Sequence, residues 1–252
     1  MSFDVAASAY DRFMGRYSGP LGIAFADWVG LASATRVLDV GCGPGALTTV
    51  LVERLGPSAV SAVDPSEPFV AAARSRMPGV DVRLASAEDL PYGDDVFDAS
   101  LAALVVHFMR DPPRGVSEMV RVTRPGGTVA ACVWDFVGGR APQTLFFTAL
   151  AEVLPGLDDE TRRSGAARGQ LVDLLTAAGC RRVEETAVTV AVDYPGFDEW
   201  WEPYTLGVAP AGRQLAALDP AQREVVRERC RTLMPDAPFT ISATAWAARG
   251  IV

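Results

Sequence analysis

Val37-Leu38-Asp39-Val40-Gly41-Cys42-Gly43-Pro44-Gly45 is the stretch on which the rest of the chain turns. Residues 36–40 have the apolar character of a short strand, and a turn of small residues follows at once. Residues 46–55 then carry apolar side chains at helical spacing and stop at Gly56-Pro57, a helix-ending pair. A strand, a glycine turn and a helix in that order expose backbone N–H groups at the helix N-terminus. Glycines at 41, 43 and 45 let a ligand approach the main chain where a Cβ would obstruct it.

Downstream the same rhythm repeats. Residues 59–63 form a second strand ending on Asp64, Ser66 is placed to cap a helix reaching about Met77, and Pro78-Gly79 terminates it. Residues 80–84 and 96–103 are further strands, the latter nearly all apolar, as expected where both faces are buried. Residues 111–122 predict a crossover helix, which Pro125-Gly126-Gly127 turns into a fifth strand over 128–134. Residues 1–33 look helical, with Ile23, Phe25, Ala26, Trp28 and Val29 available to pack on the sheet. Alternating strands and helices mean a parallel sheet covered on both faces, a Rossmann-like arrangement.

Beyond residue 134 the rhythm changes. Helices are expected over 144–153 and 169–178, and a strand-like alternation over 183–192. Residues 194–234, rich in tryptophan and proline and ending in a charged helix at 220–233, read as an insertion before a last strand at 239–247.

The acids flanking the glycine turn separate two cofactor classes. Asp64 stands 19 residues beyond Gly45, where a carboxylate can accept bonds from a ribose hydroxyl pair, a logic shared with dinucleotide enzymes. The glycine order is G-x-G-x-G, however, not the dinucleotide G-x-G-x-x-G, and Ala46 stands where that pattern would have its third glycine. Asp39, two residues before Gly41, would repel a pyrophosphate and favour an ammonium-bearing ligand, although a cap or turn role would also suit it.

On these residues the chain resembles the class I S-adenosylmethionine-dependent methyltransferases. The 37–45 stretch is similar to their first motif and Ala62-Val63-Asp64-Pro65-Ser66 to their second. Ala85-Ser86-Ala87-Glu88-Asp89-Leu90-Pro91-Tyr92, with Phe97-Asp98, resembles the third motif and the start of strand four. Arg121-Val122-Thr123-Arg124-Pro125-Gly126-Gly127 looks like the approach to strand five. The similarity covers about residues 35–135 and is nearest to the small-molecule branch of the ubiquinone/menaquinone-biosynthesis type (methyltransferase domain 11). It implies an α/β fold: a Rossmann-like seven-stranded sheet, mostly parallel with an antiparallel last strand, helices on both faces and a helical insertion between the last two strands.

The resemblance also implies a site for S-adenosyl-L-methionine. Gly41, Cys42 and Gly43 would lie against its methionine part, with Asp39 close by. Asp64 would hold the ribose and Pro65 the adenine face; Ala87 would meet the adenine through its backbone and Glu88 its exocyclic amine. The Leu104 carbonyl would receive the ammonium. In similar enzymes the N-terminal segment lids the cofactor, so Tyr10 would cover the sulfonium and Arg16 would pair with the carboxylate; an ordinary amphipathic helix is the competing reading. His107 follows strand four where the family often places a histidine facing substrate, which makes it the candidate general base; a packing histidine is the alternative. Methyl transfer can also proceed by positioning and desolvation alone.

Two features bear on the acceptor. Ala102-Ala103-Leu104-Val105 replaces the Asn/Asp-Pro-Pro-Tyr/Phe motif of the base- and amide-methylating branches. Phe197-Asp198-Glu199-Trp200-Trp201-Glu202-Pro203-Tyr204 falls where related enzymes build a substrate cap, although these aromatics would equally serve to fix the insertion to the core. A small, apolar or aromatic acceptor methylated on oxygen or carbon is expected.

Composition narrows the remaining classes. A net charge of −8 disfavours a broad nucleic-acid surface, and the run containing Arg162, Arg163, Arg168, Arg181 and Arg182 reads as a solvated face. All 23 basic residues are arginine, which removes lysine chemistry, including the Tyr-x-x-x-Lys site of short-chain dehydrogenases. One histidine cannot build a multi-histidine metal site, so no metal is expected. Four scattered cysteines read as reduced thiols, and no signal core or membrane-length apolar run stands out, so a cytoplasmic enzyme without a membrane span is expected. A non-catalytic binding module and a nicotinamide-dependent oxidoreductase are the alternatives.

Overall fold

The computed structural model describes residues 7–32 and 35–252; residues 1–6 and 33 of the expected N-terminal lid, with residue 34, lie outside them. Seven strands form one sheet in the order β3-β2-β1-β4-β5-β7-β6. They are β1 (Val37–Val40), β2 (Val60–Asp64), β3 (Asp81–Leu84), β4 (Phe97–Ala103), β5 (Thr123–Trp134), β6 (Arg181–Tyr194) and β7 (Phe239–Ile251). Strands β1 to β5 pair in parallel, whereas β7 runs antiparallel to both β5 and β6. The expected α/β fold is the observed one.

Every residue of β1 is buried, so helices cover both faces of the sheet's centre. Chain order gives α1 (Ala7–Tyr10), a π-turn at Asp11–Gly15, α2 (Arg16–Val29), α3 (Ala46–Leu55), α4 (Glu67–Arg76) and α5 (Pro112–Val122). After β5 come α6 (Thr144–Ala151) and α7 (Gln170–Ala177). Between β6 and β7 lie α8 (Phe197–Trp201), α9 (Ala209–Ala217) and α10 (Pro220–Leu233).

Three local expectations need correction. On α2 the buried face is Tyr17, Leu21, Phe25, Ala26 and Val29, so Ile23 points outward, half exposed. Ser66 sits at the N-cap of α4 without capping it by its side chain; its backbone N–H instead donates to Asp64. Strand β5 begins at Thr123, through the Pro-Gly-Gly run, with a register irregularity opposite Phe97 and Ala99. Gly127 comes so close to the Asp98 carbonyl that a Cβ there would lie 2.6 Å from it, which explains extended chain where a turn reads from sequence.

Other elements follow their local chemistry closely. Asp111 caps α5 by accepting from the Arg114 N–H at 3.1 Å, and Asp219 with Gln222 forms a reciprocal capping box on α10. All four cysteines are buried free thiols, consistent with packing roles. No helix among the described residues is long and apolar enough to cross a membrane, and none of their acidic, histidine and cysteine side chains cluster in a way that could hold a metal.

Candidate cofactor site

The carboxyl ends of β1, β2 and β4 converge on a cavity where the strand order reverses from leftward to rightward addition, the usual place for a ligand on an open α/β sheet. The backbone N–H groups of Gly41 and Cys42 both donate to the Val63 carbonyl, at 2.8 and 2.9 Å, and pin the glycine turn against β2. The N–H of Gly43 donates to Asp64 Oδ2 at 2.9 Å, so turn and acid are built as one unit. Gly41 has φ +70° and a Cβ on it would meet Val105 at 2.5 Å. Gly43, at φ +55°, has open space where its Cβ would be. The turn is therefore crowded behind and clear in front, a cradle that side chains would fill.

Two carboxyls face this space. Asp39 is 1% exposed and accepts from Thr48 Oγ1 at 2.6 Å; burial pushes its pKa up to about 7 against the lowering effect of that bond. Asp64 is 6% exposed and accepts the N–H of Ser66 at 2.8 Å as well as that of Gly43; burial raises it to about 6. Neither carboxyl has a cationic side chain in hydrogen-bond contact among its described partners, so a cationic ligand would supply the missing countercharge.

Glu88 forms the far wall. Burial works to raise its pKa, but the Ser86 hydroxyl and the backbone N–H groups of Arg110 (2.7 Å) and Asp111 (3.3 Å) outweigh it and hold the carboxyl below its ordinary range. Ala87, Pro65, Leu104 and Tyr10 complete the set, Tyr10 edge-on to Phe69 with centroids 5.2 Å apart. Leu104 holds φ +61°, a left-handed conformation uncommon for leucine, at the point where the chain leaves β4 for the cavity rim. Tyr10, Asp39, Gly41, Cys42, Gly43, Asp64, Pro65, Ala87, Glu88 and Leu104 thus stand around one cavity.

Two expected residues are not on its wall. Arg16 pairs with Glu199 of the insertion and lies over the Tyr194 ring, so its guanidinium is engaged elsewhere. His107 is turned inward, its ring 3.9 Å from that of Phe108; burial, helped by Arg163, drives its pKa down to about 3. A neutral imidazole so resistant to protonation is a weak proton acceptor, and its surroundings give no support to a general-base role. Arg163 is also unlike the solvated face expected of it: its side chain is only 11% exposed, over Phe108 and against Asp158.

Sequence reasoning missed Ser18 and Phe69. The Ser18 hydroxyl oxygen is buried on the cavity wall with no hydrogen-bond partner, a polar break in the apolar face of α2. An orphaned hydroxyl and an open glycine cradle both fit a polar, cationic small molecule.

The N-terminal segment bridges two regions. Asp11 pairs with Arg76 of α4, while Arg12 and Arg16 pair with Glu202 and Glu199 of the insertion. Beneath these surface pairs, Phe13 meets Tyr204 edge-on at 5.3 Å and the Tyr194 hydroxyl donates to that of Tyr17 at 3.0 Å. Exposed ion pairs contribute little, so the aromatic contacts carry this docking. Trp200, Trp201 and Tyr204 are buried, Tyr204 stacked on Phe146 at 4.2 Å, and none lines the cavity.

Against this geometry, residues 38–131 match the family model described as "Methyltransferase domain". That stretch is therefore similar to methyltransferase domains. Among curated relatives, an uncharacterized methyltransferase of Mycobacterium tuberculosis is 43% identical over 135 residues, covering 54% of this chain and 52% of the relative. The ubiquinone/menaquinone biosynthesis C-methyltransferase of Geobacter sulfurreducens is 32% identical over 127 residues, 48% of this chain and 50% of that protein. The chain thus spans about half the length of the curated relatives it matches. A solved putative methyltransferase from an antibiotic biosynthesis pathway of Anabaena variabilis superposes with TM-score 0.66 at 20% identity, covering 92% of this chain and 96% of that one; it shows the shared fold.

Proposed function

We propose that the protein is an S-adenosyl-L-methionine-dependent methyltransferase acting on oxygen or carbon of a small, apolar or aromatic metabolite. The observation that carries this reading is the pair Asp39 and Asp64, buried without a cationic side-chain partner and facing a cavity rimmed by an open glycine turn. A dinucleotide pyrophosphate would place negative charge beside Asp39, whereas a ligand bearing ammonium and sulfonium would relieve the cost of two buried acids.

The bound cofactor supplies the electrophilic methyl group. The chain's own part is to hold and to exclude water. Gly41, Cys42 and Gly43 would carry the methionine part, Asp64 the ribose and Glu88 the adenine amine, with Pro65 and Ala87 against the purine. Tyr10 would cover the sulfonium from the N-terminal side, with the segment that bears it held closed by the insertion. With His107 held neutral and off the wall, proton removal from the acceptor need not involve a dedicated base, and desolvation in an apolar enclosure is the main aid to the nucleophile.

The acceptor class is supported by the apolar surface that Leu21, Leu47, Phe69, Val105, Phe108 and Met109 present on the walls. The test is to incubate the protein with methyl-labelled cofactor and a metabolite extract, then identify the labelled product. A labelled phenol ether or ring-methylated product is expected. Binding of nicotinamide dinucleotide in place of S-adenosylmethionine would overturn the reading, and cofactor binding with no transfer to any acceptor would favour a binding module.

A further inference from the structure

The insertion between β6 and β7 holds a second open space. A groove of about 460 Å³, within the size of small-molecule sites, is lined from α8, the turn after it, α9 and α10. It shares no lining residue with the cofactor cavity. Trp201 and Leu215, both mostly buried, give it an apolar side. Thr205, Ala216, Arg223 and Glu224 are exposed, so solvent and solutes reach it freely.

Its charges are unevenly matched. All three carboxylates on the groove already face arginines: Asp198 has Arg227 at 3.0 Å and Arg231 at 3.8 Å, Glu224 has Arg227 at 3.8 Å, and Glu202 has Arg12 at 2.7 Å. Arg223 is held otherwise. Its Nε donates to the Leu218 carbonyl at 2.9 Å and its Nη2 to that of Ala216, and no described carboxylate pairs with it. Two neutral carbonyls fix the plane of this guanidinium without cancelling its charge. A cation oriented in advance loses little freedom when an anion arrives.

We infer that this groove binds a small organic mono-anion: a carboxylate set on Arg223, carried by an aromatic or short aliphatic body that lies against Trp201 and Leu215. The neighbouring acids limit the ligand's charge. Asp198, Glu202 and Glu224 line the same space, so a second negative charge would meet more repulsion than one free guanidinium offsets. A cation would face Arg223 itself, and a neutral ligand would leave that charge unanswered. The flat indole of Trp201 suits a planar body.

Benzoate and benzamide are suitable probes, because they share a shape and differ in charge. Each is titrated at low salt by ligand-observed NMR into the full chain. Wild type should bind benzoate about fivefold more tightly than benzamide, the scale of one exposed ion pair. The dianion phenyl phosphate should bind no more tightly than benzoate. Arg223→Leu should bring benzoate and benzamide within about twofold. Ala216→Glu should do the same, since it adds a carboxylate at an exposed helical position whose own carbonyl holds the guanidinium. Equal binding of the two probes by wild type overturns the site, as does tighter binding of phenyl phosphate. A preference unchanged in Arg223→Leu also overturns it, because benzoate would then sit elsewhere. Should loss of the two carbonyl bonds unfold Arg223→Leu, Ala216→Glu carries the comparison alone, with a retained preference overturning the assignment.

Discussion

Asp39 and Asp64, at the ends of β1 and β2, and Glu160, in the loop between α6 and α7, are all acids with little solvent contact, yet they are held differently. The first two receive hydrogen bonds from Thr48, Gly43 and Ser66, all set by the β1 and β2 ends and the start of α3. Glu160 hangs from a loop with an oxygen that receives none. Strand ends and a helix start form a rigid scaffold that satisfies its acids in advance, whereas a loop can leave a buried carboxyl oxygen without a donor. The half after β5 also does most of the aromatic packing, around Phe146, Trp200, Trp201 and Tyr204.

The largest expected effect separates stability from cofactor binding. Phe146 is fully buried and stacked on Tyr204, so Phe146→Ala should destabilise the protein by about 3–5 kcal/mol in urea unfolding. The folded fraction should keep its affinity for S-adenosylhomocysteine; a parallel loss of affinity would mean that the two regions are not separable. Next, Gly43→Val fills the open side of the turn at a positive φ. Calorimetric titration should show S-adenosylhomocysteine binding weakened about 100-fold, equivalent to about 2.7 kcal/mol. Wild-type affinity in this variant would exclude the cavity as the cofactor's place.

Thr48→Val removes the hydroxyl that donates to Asp39 at 2.6 Å while keeping the shape of the side chain. A stability loss of about 1–3 kcal/mol should follow at pH 8, where the acid is charged and unsupported. Little change at pH 5 is expected, where Asp39 is protonated in both proteins. A loss equal at both pH values would show that the bond does not depend on the carboxylate.

The smallest effect is a pH trend. Asp39 and Asp64 are raised by burial to about 7 and about 6 from an unfolded value near 3.8. Between about pH 4 and pH 7 the folded chain therefore holds protons that the unfolded chain has released, and the free protein should lose stability as pH rises through that window. A cationic ligand reverses the preference, since it pairs with the ionised acids. Affinity for S-adenosylmethionine should rise several-fold from pH 5.5 to pH 7.5, with proton release near pH 6.5 measurable by calorimetry in buffers of different ionisation heat. An affinity flat across that range would mean that these acids do not face the charged part of the ligand.

The cofactor half was readable because its signals are local. Apolar runs bounded by Gly-Pro or Pro-Gly pairs mark β1 to β4 and α3 to α5 within a residue or two, and the glycine turn with its two acids is contiguous or nearly so. The pairing of Arg16 with Glu199, 183 residues away, lies beyond the reach of any local pattern. Glu160 was invisible for a related reason. Asp158-Asp159-Glu160-Thr161-Arg162-Arg163 has the composition of a solvated loop, and nothing local distinguishes the acid that turns inward from the two beside it. Arg163 turns inward with it, so the arginine run is a solvated face only in part.

Tyr194 and Phe239 are partners in the β6–β7 ladder, and everything between them, α8 to α10 included, leaves and re-enters the sheet at neighbouring positions. Such an excursion can be exchanged like a cassette: its two ends stay about 5 Å apart whatever is threaded between them. A different insertion of any length, closed on that single rung, would alter what presses on the N-terminal segment while β1, β2 and the glycine turn remained in register. New contacts with that segment could be grafted there without rebuilding the floor of the cavity.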